Sequence, residues 1–549
     1  MQQNRAFRHM VPASPLEKSL MIESPVFASA AVAAPHHSAS EAGRAVLAEG
    51  GNAIEAMVAM AATIAVVYPH MNAIGGDGFW LVHQPGGKVQ AIEACGPAGR
   101  LATIARYREK GHDSIPSRGA DAAVTVAGAI GGWQAALGLS ASLGGRMPLA
   151  DILSDAIRHC REGYPVSASE ARTWPNDLEA TREAAGFSSF FWPGGERPKE
   201  GDLRRPEALG ATFAHLAAAG LDDFYRGDIG REIAADLARL GAPVTREDMQ
   251  AYRAALVQPL SIRLGDLTVY NVPPPTQGLA SLLILGIFEQ LGVQRADSFE
   301  HIHGLVEATK RAFLIRDRHV TDPAFMTSDP AGFLTDAVFA REAAAIDRKR
   351  AAPWPPRDGK GDTIWMGAID GDGLAVSYIQ SIYWEYGAGI ILPQTGINWQ
   401  NRGVSFSLDP QATNPLTPGR KPFHTLNPAL ARFADGRVMS YGAMGGDGQP
   451  QFQAQLLSRY RFGWNPAAAV DAPRFLFGKT WGAGSTSLKM ESRFDPMLLA
   501  RLTAAGHPVE EYSEAYSDQF GHAGMLVKHP KGRVEAAHDP RSDGDARGL

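Results

Sequence analysis

The feature that most constrains this chain is a predicted β-hairpin that starts at a threonine. Residues 351–362 read AAPWPPRDGKGD, a polar stretch containing Pro and Gly, and the apolar run Thr363–Ile369 follows it directly. A strong turn signal at residues 370–373 (DGDG) leads into a second strand-like run, Leu374–Ser381. The pattern therefore predicts two antiparallel strands, with Thr363 at the open end of the first.

The open end of this hairpin suits a nucleophile that is released by chain cleavage. A threonine hydroxyl is a weak nucleophile near neutral pH, and the α-amine of the same residue can serve as its base once that residue is an N-terminus. We therefore expect the bond between Asp362 and Thr363 to be cut. If residues 370–373 form the whole loop, Thr363 lies opposite Gln380 and beside Ser381, a second hydroxyl. The alternative is an ordinary surface hairpin that carries no chemistry.

Composition and charge exclude several functional classes. The 549-residue chain is 45% hydrophobic and 20% charged, which is ordinary for a globular protein of one large unit or two to three domains. A formal net charge of -5 and the lack of a dense Lys/Arg block argue against a nucleic-acid or membrane-surface partner. Small neutral or anionic molecules remain possible ligands.

Cysteine and histidine usage points to a reduced protein without a cofactor. Cys95 and Cys160 are too few for a disulfide framework, so we expect both thiols to be reduced. The first ten residues lack the apolar core of a secretory signal, so a cytoplasmic location is expected. The pairs His301-x-His303 and His36-His37 lack the carboxylate companions of a zinc motif, so no metal is predicted.

Helical patterns flank the strand-rich parts of the chain. Residues 38–68 read as two helices, opened by a capping box at Ser38–Glu41 and interrupted at residues 50–52. Residues 120–345 are mostly helical in pattern and are interpreted as cover for the sheets. Their clearest helices are Glu207–Ala219, Ile229–Leu240 and Phe299–Arg316.

Further strands are expected on both sides of these helices. They are Phe79–His83 and Val89–Glu93 as a hairpin after Gly75–Gly78, then Gly389–Leu392, Ala429–Phe433 and Val438–Tyr441, with a helix after Gly448. Helices that flank two sheets, one of them with a nucleophile strand, predict a layered α+β sandwich.

Three polar groups in the C-terminal part are candidates for chemistry. Gly445–Gly448 follows a predicted strand and can open a helix, so its amides could hold an oxyanion, although a simple glycine turn fits equally well. His424-Thr425 offers polar groups, and Arg402 could make a two-pronged contact with a carboxylate. Structural histidines and surface arginines are the commoner alternatives.

A series of segments resembles the gamma-glutamyltransferase family of N-terminal-nucleophile (Ntn) hydrolases over nearly the whole chain. The segments are Gly50–Ala56, Pro69-His70, Gly75–Phe79, Phe224–Gly227, Pro273–Gly278, Glu307–Phe313, Gly361–Thr363, Gly387–Gly389, Gly445-Gly446 and Asp539–Ser542. Each is weak alone, but they occur in the family's order, which makes the series specific.

The resemblance implies a four-layer αββα sandwich formed by one precursor that cuts itself before Thr363. Its products would be a large chain, residues 1–362, and a small chain, residues 363–549, intertwined as one unit. A dimer of two such units is a further possibility. Thr363 matches the family nucleophile, and Ser381 falls where the family has an assisting threonine. Gly445 and Gly446 match the oxyanion-hole pair.

The departures from the family pattern concern the substrate pocket. His424 and Thr425 match two adjacent serines that contact the substrate carboxylate in gamma-glutamyl enzymes. A substrate-binding arginine of those enzymes is Ile92 here, the ammonium-binding aspartate is Ser405, and a neighbouring glutamine is Arg402. The pocket thus loses one carboxylate clamp and gains a cation, which disfavours an α-ammonium.

The resemblance also bears on the reaction. The segment Ser407–Pro418 is shorter than the lid of many relatives, which favours hydrolysis over transfer. Residues 379–387, 400–403, 424–428 and 444–451 are similar to the oxamate amidohydrolase branch, which implies a small amide with an adjacent carboxylate and a place in purine degradation. A gamma-glutamyl or glutaryl amide hydrolase or transferase is the rival enzyme, and an uncleaved, non-catalytic binding scaffold is the rival of another class.

Overall fold

Two β-sheets packed face to face lie between two layers of helices. The computed structural model describes residues 22–173, 181, 184, 186–354, 362–478 and 486–549. In this part of the chain the strands are β1 Val26–Phe27, β2 Ala31–Ala34, β3 Asp77–His83, β4 Val89–Ala94, β5 Tyr164–Pro165, β6 Leu203–Arg204, β7 Ala255–Val257, β8 Leu260–Leu264, β9 Leu267–Asn271, β10 Asp362–Ile369, β11 Ala375–Tyr383, β12 Ala429–Phe433, β13 Val438–Ala443, β14 Phe475–Phe477, β15 Leu488–Glu491, β16 Val509–Tyr512, β17 Ala523–Lys528, β18 Val534–His538 and β19 Asp545–Gly548.

Helices connect and cover these strands. They are α1 His37–Ala48, α2 Ala53–Val67, α3 Ile104–Glu109, α4 Ala129–Ser142, α5 Leu149–Ile152, α6 Ser154–Glu162, α7 Ala168–Arg172, α8 Phe187–Phe191, α9 Glu207–Ala219, α10 Asp223–Arg226, α11 Asp228–Leu240, α12 Arg246–Ala251, α13 Gly278–Gln290, α14 Phe299–His319, α15 Asp336–Ala344, α16 Gln449–Arg461, α17 Pro466–Asp471 and α18 Pro496–Ala504. Within the described ranges, none has both the length and the apolar content needed to span a bilayer.

The two large sheets of the described residues have seven strands each. The first sheet, called the nucleophile sheet because it contains the strand of the predicted nucleophile Thr363, has the order β19-β2-β10-β11-β3-β4-β7. The second sheet has the order β1-β18-β17-β13-β12-β9-β8. Helices α1, α2 and α4 pack on the nucleophile sheet, whereas α13, α16 and α17 pack on the second sheet. This arrangement confirms the predicted αββα sandwich.

Alternate residues of the central strands face two different cores, as the pleat of a β-strand requires. In β10, Trp365 and Ile369 pack between the two sheets, whereas Met366 and Ala368 pack against the helices. In β3, Phe79 likewise faces the space between the sheets. Both faces of these strands are therefore buried, and the odd-numbered residues of β10 and β3 point towards the second sheet.

The predicted hairpin that starts at Thr363 is present as β10 and β11, but its register is shifted by one residue from the prediction. Ile369 pairs with Ala375 rather than with Leu374, because the N–H of Asp370 donates to Leu374 O at 3.1 Å and leaves a three-residue loop. Such loops commonly place a left-handed residue last, and Gly373 has a φ of 88°. Gln380 therefore pairs with Ile364 and not with the preceding threonine.

Other local predictions were wrong in instructive ways. Helix α1 is capped by His36, whose Nδ1 accepts from the N–H of Ser38, and the capping box lies instead at Asn52, the N-cap of α2. Residues 389–392 form an isolated bridge at Ile391 rather than a strand. Residues 255–271, taken as helical cover, contribute β7 to β9, which are too short for their period to stand out from the helical surroundings.

Candidate active site

Thr363 lies buried at the start of β10, with its hydroxyl between two polar side chains. Its Oγ1 donates to Ser381 Oγ on β11 at 3.3 Å and accepts from Gln449 Nε2 at 3.4 Å. Ser381 Oγ in turn accepts from the backbone N–H of Tyr383 at 2.8 Å. The predicted proximity of the two hydroxyls is thus present, and their catalytic roles stay predictions.

Tyr383 adopts a backbone conformation that favours glycine at this point of the hairpin. Its φ is 83°, and it pairs with Asp362 where the β10–β11 register is irregular. A left-handed conformation costs a non-glycine residue roughly 1–3 kcal/mol, so the surrounding structure must hold it in place. In this conformation its N–H donates to Ser381 Oγ. The centroid of its ring lies 3.6 Å from Cζ of Arg402, so the guanidinium stacks on the ring. One strained residue therefore connects the hydroxyl pair with the predicted anion-binding cation.

Amide side chains from the second half of the chain hold the Thr363 hydroxyl. Gln449, the first residue of α16, accepts through Oε1 from both the N–H and the Nδ2 of Asn427, each at 3.2 Å. Asn427 Nδ2 also donates to Thr425 O at 2.8 Å. Neither Gln449 nor Asn427 was singled out from the sequence, although both lie in segments that carried the family resemblance.

Gly445 and Gly446 form the turn that leads into α16. Their φ values are 123° and 51°, and a side chain at Gly445 would meet the Phe452 ring at 2.8 Å. Gln277 Nε2 fixes the turn by donating to Gly446 O at 2.8 Å. Within the described parts of the chain, neither glycine N–H has a hydrogen-bond acceptor. Such donors suit the predicted oxyanion hole.

Arg402 is a buried cation whose terminal nitrogens lack a hydrogen-bond partner in the described part of the chain. Its exposed fraction is 1%, and Nη1 and Nη2 make no hydrogen bond among the described residues. Burial lowers the pKa of Arg402 to about 10, which leaves the guanidinium charged at neutral pH. An unpaired buried charge is costly, so this arrangement is suited to an anionic ligand.

The other predicted substrate-binding residues share this property. Buried polar atoms without a partner in the described structure are both ring nitrogens of His424, Oγ1 of Thr425 and Oγ of Ser405. Burial, with the nearby charge of Arg402, holds the pKa of His424 well below its usual range, so the ring is neutral. Buried polar groups normally find partners, so a cluster that lacks them marks a ligand site.

Asp77 also belongs to this site, although it was not named as a site residue from the sequence, where the glycines around it fit a tight turn or a close approach of the backbone to a ligand. It pairs with Ser381 across β3 and β11, and its Oδ2 lies 3.6 Å from Nε2 of His424. Burial raises the pKa of Asp77 to about 7, with Arg402 opposing the rise. Ile92 has a different place, since its side chain packs in the core between the nucleophile sheet and the helices.

One group of described residues has the donor atoms of a metal site. Ligand atoms of His303, Glu307 and His507 lie within 4.8 Å of one another. Lys310 Nζ lies 2.6 Å from Glu307 Oε1, and the ring nitrogens of His303 contact His507 Nε2 at 2.8 Å and Asp347 O at 2.7 Å. These contacts explain the cluster without a metal ion, because the ammonium group of Lys310 already balances the charge of the carboxylate.

The relationship of this chain to known proteins follows from a family comparison. Residues 39–549 match the family model described as gamma-glutamyltranspeptidase. The chain belongs to the gamma-glutamyltranspeptidase family. As a member of this family it is an Ntn-type hydrolase of amide C–N bonds.

Individual members of the gamma-glutamyltranspeptidase family match over almost their full length. The oxamate amidohydrolase proenzyme of Klebsiella pneumoniae is 52% identical over 518 residues, which are 94% of this chain and 98% of that protein. The glutathione hydrolase-like YwrD proenzyme of Bacillus subtilis is 37% identical, with 94% and 98% covered. A crystal structure of cephalosporin acylase from Bacillus halodurans superposes with a TM-score of 0.86 at 31% identity, covering 99% of both chains.

Proposed function

We propose that this chain is a self-processing amidohydrolase that hydrolyses a small amide with an adjacent carboxylate, with oxamate hydrolysed to oxalate and ammonia. The observation that carries the proposal is the buried guanidinium of Arg402, which stacks on Tyr383 beside the hydroxyl pair. Two of its nitrogens have no hydrogen-bond partner among the residues that the structure describes. The 52% identity to an oxamate amidohydrolase proenzyme supports the same substrate.

Maturation would create the catalyst. Thr363 Oγ1 attacks the carbonyl carbon of Asp362, the peptide C–N bond breaks as the acyl group moves from nitrogen to oxygen, and water hydrolyses the resulting ester. The products are a carboxylate on Asp362 and an α-amine on Thr363. An α-amine has a reference pKa of about 8, which leaves enough of it neutral near pH 7 to 8 to accept a proton.

In turnover the same residue acts as nucleophile and base. The amine accepts the hydroxyl proton, Oγ1 of Thr363 attacks the amide carbonyl, and the N–H groups of Gly445 and Gly446 stabilise the oxyanion. The C–N bond then breaks, nitrogen takes up the proton and ammonia leaves. Water hydrolyses the acyl ester and releases the diacid.

The binding groups divide between the acyl part and the nucleophile. Arg402 binds the carboxylate next to the scissile amide, with Thr425 Oγ1 and Ser405 Oγ as further donors and His424 as a neutral neighbour. Ser381 Oγ accepts from the Thr363 hydroxyl and orients it. The four side chains around the acyl part, but not Ser381, each present a buried polar atom whose partner would be the substrate.

A comparison of substrates tests the proposal. We expect ammonia release from oxamate to exceed release from glutamine in kcat/KM, and acid release from a glutaryl amide to be slower than either. Faster turnover of the glutaryl amide would instead favour an acylase activity like that in the name of the cephalosporin acylase from Bacillus halodurans, to which this chain is 31% identical.

Two variants of the nucleophile complete the test. Thr363→Ala should stay uncut and inactive, whereas Thr363→Ser keeps a hydroxyl and should be cut and active. A processed, active alanine variant would overturn the proposal, and a single full-length band of the wild type after long incubation would favour the binding scaffold.

A further inference from the structure

The carboxylate of Asp77 has one oxygen that accepts three hydrogen bonds and one that accepts none from the described residues. Oδ1 accepts from the N–H of Gly128 at 2.9 Å, from the N–H of Gly96 at 3.2 Å and from Nε2 of Gln400 at 3.1 Å. Oδ2 is buried and makes no hydrogen bond among the described residues, and the side chain is 1% exposed. Three donors on Oδ1 fix the orientation of the carboxylate, so Oδ2 points in one direction.

That direction is the active site. Asp77 is the direct cross-strand partner of Ser381, and such partners carry their side chains on the same face of the sheet with Cβ atoms about 4.5–5.5 Å apart. Ser381 Oγ is 3.3 Å from Oγ1 of Thr363, and Oδ2 of Asp77 is 3.6 Å from Nε2 of His424. The unengaged oxygen therefore lies between the hydroxyl pair and the predicted binding residues.

Asp77 and Arg402 carry opposite charges in one buried cluster of polar side chains. The charge of Arg402 acts on Asp77, yet neither guanidinium Nη nor Oδ2 has a hydrogen-bond partner within the described structure. Burial of such groups costs free energy unless each gains a partner. A ligand with an anionic group next to an N–H donor would satisfy both groups at once.

We propose that Asp77 determines specificity by accepting, through Oδ2, a hydrogen bond from the nitrogen of the scissile amide, next to the carboxylate bound by Arg402. This inference rests on the proposed function and deepens it. An ester of the same acid offers an oxygen where the amide has N–H, and that oxygen would face the carboxylate of Asp77. The site therefore selects amides over esters.

The N–H donor has a second possible source, the α-ammonium of an amino acid substrate. The replacement of the family's ammonium-binding aspartate by Ser405 disfavours that group in the sequence, but Asp77 supplies a carboxylate from another strand. We assign Asp77 to the amide nitrogen because it pairs directly with Ser381, which touches the nucleophile. Glutamine as a test substrate separates the two sources.

The variant Asp77→Asn tests this assignment. Asparagine keeps an oxygen for the three donors on Oδ1 and replaces Oδ2 by an NH2 group, which donates instead of accepting. We expect the variant to be cut into two chains as the wild type is. Its kcat/KM should fall about 10- to 100-fold for oxamate but no more than about threefold for monomethyl oxalate, the matched ester.

Asp370→Asn is the matched control. Asp370 is also a buried carboxylate that accepts backbone N–H groups, from Ala53, Asp372 and Leu374, but it lies at the far end of the hairpin. This variant should change the amide-to-ester ratio by less than about twofold. The ratio, rather than total activity, is the readout that a purely structural role would not move.

The other outcomes would overturn the assignment. Equal losses on oxamate and its ester would mean that Asp77 acts through His424 or through the shape of the pocket. A loss confined to glutamine would assign Oδ2 to an ammonium. If the wild type does not hydrolyse oxamate, the proposed function fails. The amide-to-ester ratio of kcat/KM, measured on glutamine and on the γ-methyl ester of glutamate, then decides the role of Asp77 separately.

A measurement on the wild type covers the case in which Asp77→Asn does not fold. N-methyloxamate keeps one amide N–H and N,N-dimethyloxamate keeps none. Their inhibition constants, measured against oxamate hydrolysis, therefore show how much an amide N–H donor contributes to binding. We expect the dimethyl compound to bind at least about tenfold more weakly than the monomethyl compound. Equal inhibition by the two compounds would contradict the proposal.

Discussion

At the residue scale, the candidate site is recognised by a cluster of buried polar atoms that lack a hydrogen-bond partner among the described residues. Arg402, His424, Thr425 and Ser405 were named from the sequence because they occupy family substrate-binding positions, and each has such an atom. Asp77 has one as well, but an acidic residue between glycines also fits a turn. Whether a side chain faces a pocket depends on strand pairing, which a single sequence does not give.

This argument predicts an unusual result for Arg402→Met. Removing this buried cation should leave the melting temperature unchanged or raised, because no carboxylate is hydrogen-bonded to it among the described residues. The nearby Asp77, whose pKa burial already raises to about 7, can take up a proton when the cation is gone. Activity on a carboxylate-bearing amide should fall at least about 100-fold, since a charge-assisted contact with substrate is lost. Thermal unfolding and kcat/KM measured on one preparation check both parts.

Arg474→Met provides the contrast. Arg474 is equally buried, and its Nε and Nη1 also lack a hydrogen-bond partner among the described residues, but its Nη2 is bonded to Asp539. Its removal therefore leaves that carboxylate with one cation fewer and should lower the melting temperature. If the two methionine variants were destabilised alike, Arg402 would be a structural residue and the argument from unpartnered atoms would be wrong.

At the element scale, the nucleophile hairpin shows how much a local pattern can predict. Its two strands and its turn were predicted correctly from alternation and from the DGDG signal, as were the helices α9, α11 and α14 from their period. The register was wrong by one, because the choice between a three-residue and a four-residue loop depends on the hydrogen bond from Asp370 to Leu374. That single bond decides that Gln380 faces Ile364.

The loop geometry leads to a prediction about its glycines. Gly373→Ala should destabilise the protein by about 1–2 kcal/mol, because Gly373 has a φ of 88° that a Cβ disfavours, although no atom within 3.4 Å would clash. Gly371→Ala should have a smaller effect, since that residue has open space and no left-handed conformation. Urea unfolding of both variants measures the difference, and equal values would contradict the loop assignment.

At the scale of the whole molecule, the two predicted chains interleave in both sheets. In the nucleophile sheet, β2 precedes the predicted cleavage point in sequence and pairs with β10, which contains that point at its start. Strand β11, which follows the predicted cleavage point, pairs with β3, which precedes it. In the second sheet, β12 pairs with β9 in the same way. Central ladder hydrogen bonds, and not only loop contacts, therefore join residues 1–362 to residues 363–549.

This interleaving predicts that cleavage does not separate the chains. The processed protein should elute as one species in size-exclusion chromatography under native conditions and should give two bands only on a denaturing gel. Both fragments should lose structure in one thermal transition, because each sheet needs strands from both. If a folded small fragment eluted separately, the strand pairs described above could not be those of the processed protein.

The account depends most directly on where the small chain begins. N-terminal sequencing of the small chain from a fully active preparation should read Thr-Ile-Trp-Met-Gly-Ala, starting at Thr363. A small chain that begins at any other residue, with activity intact, would contradict the claim that the nucleophile and its base reside on one threonine released by cleavage.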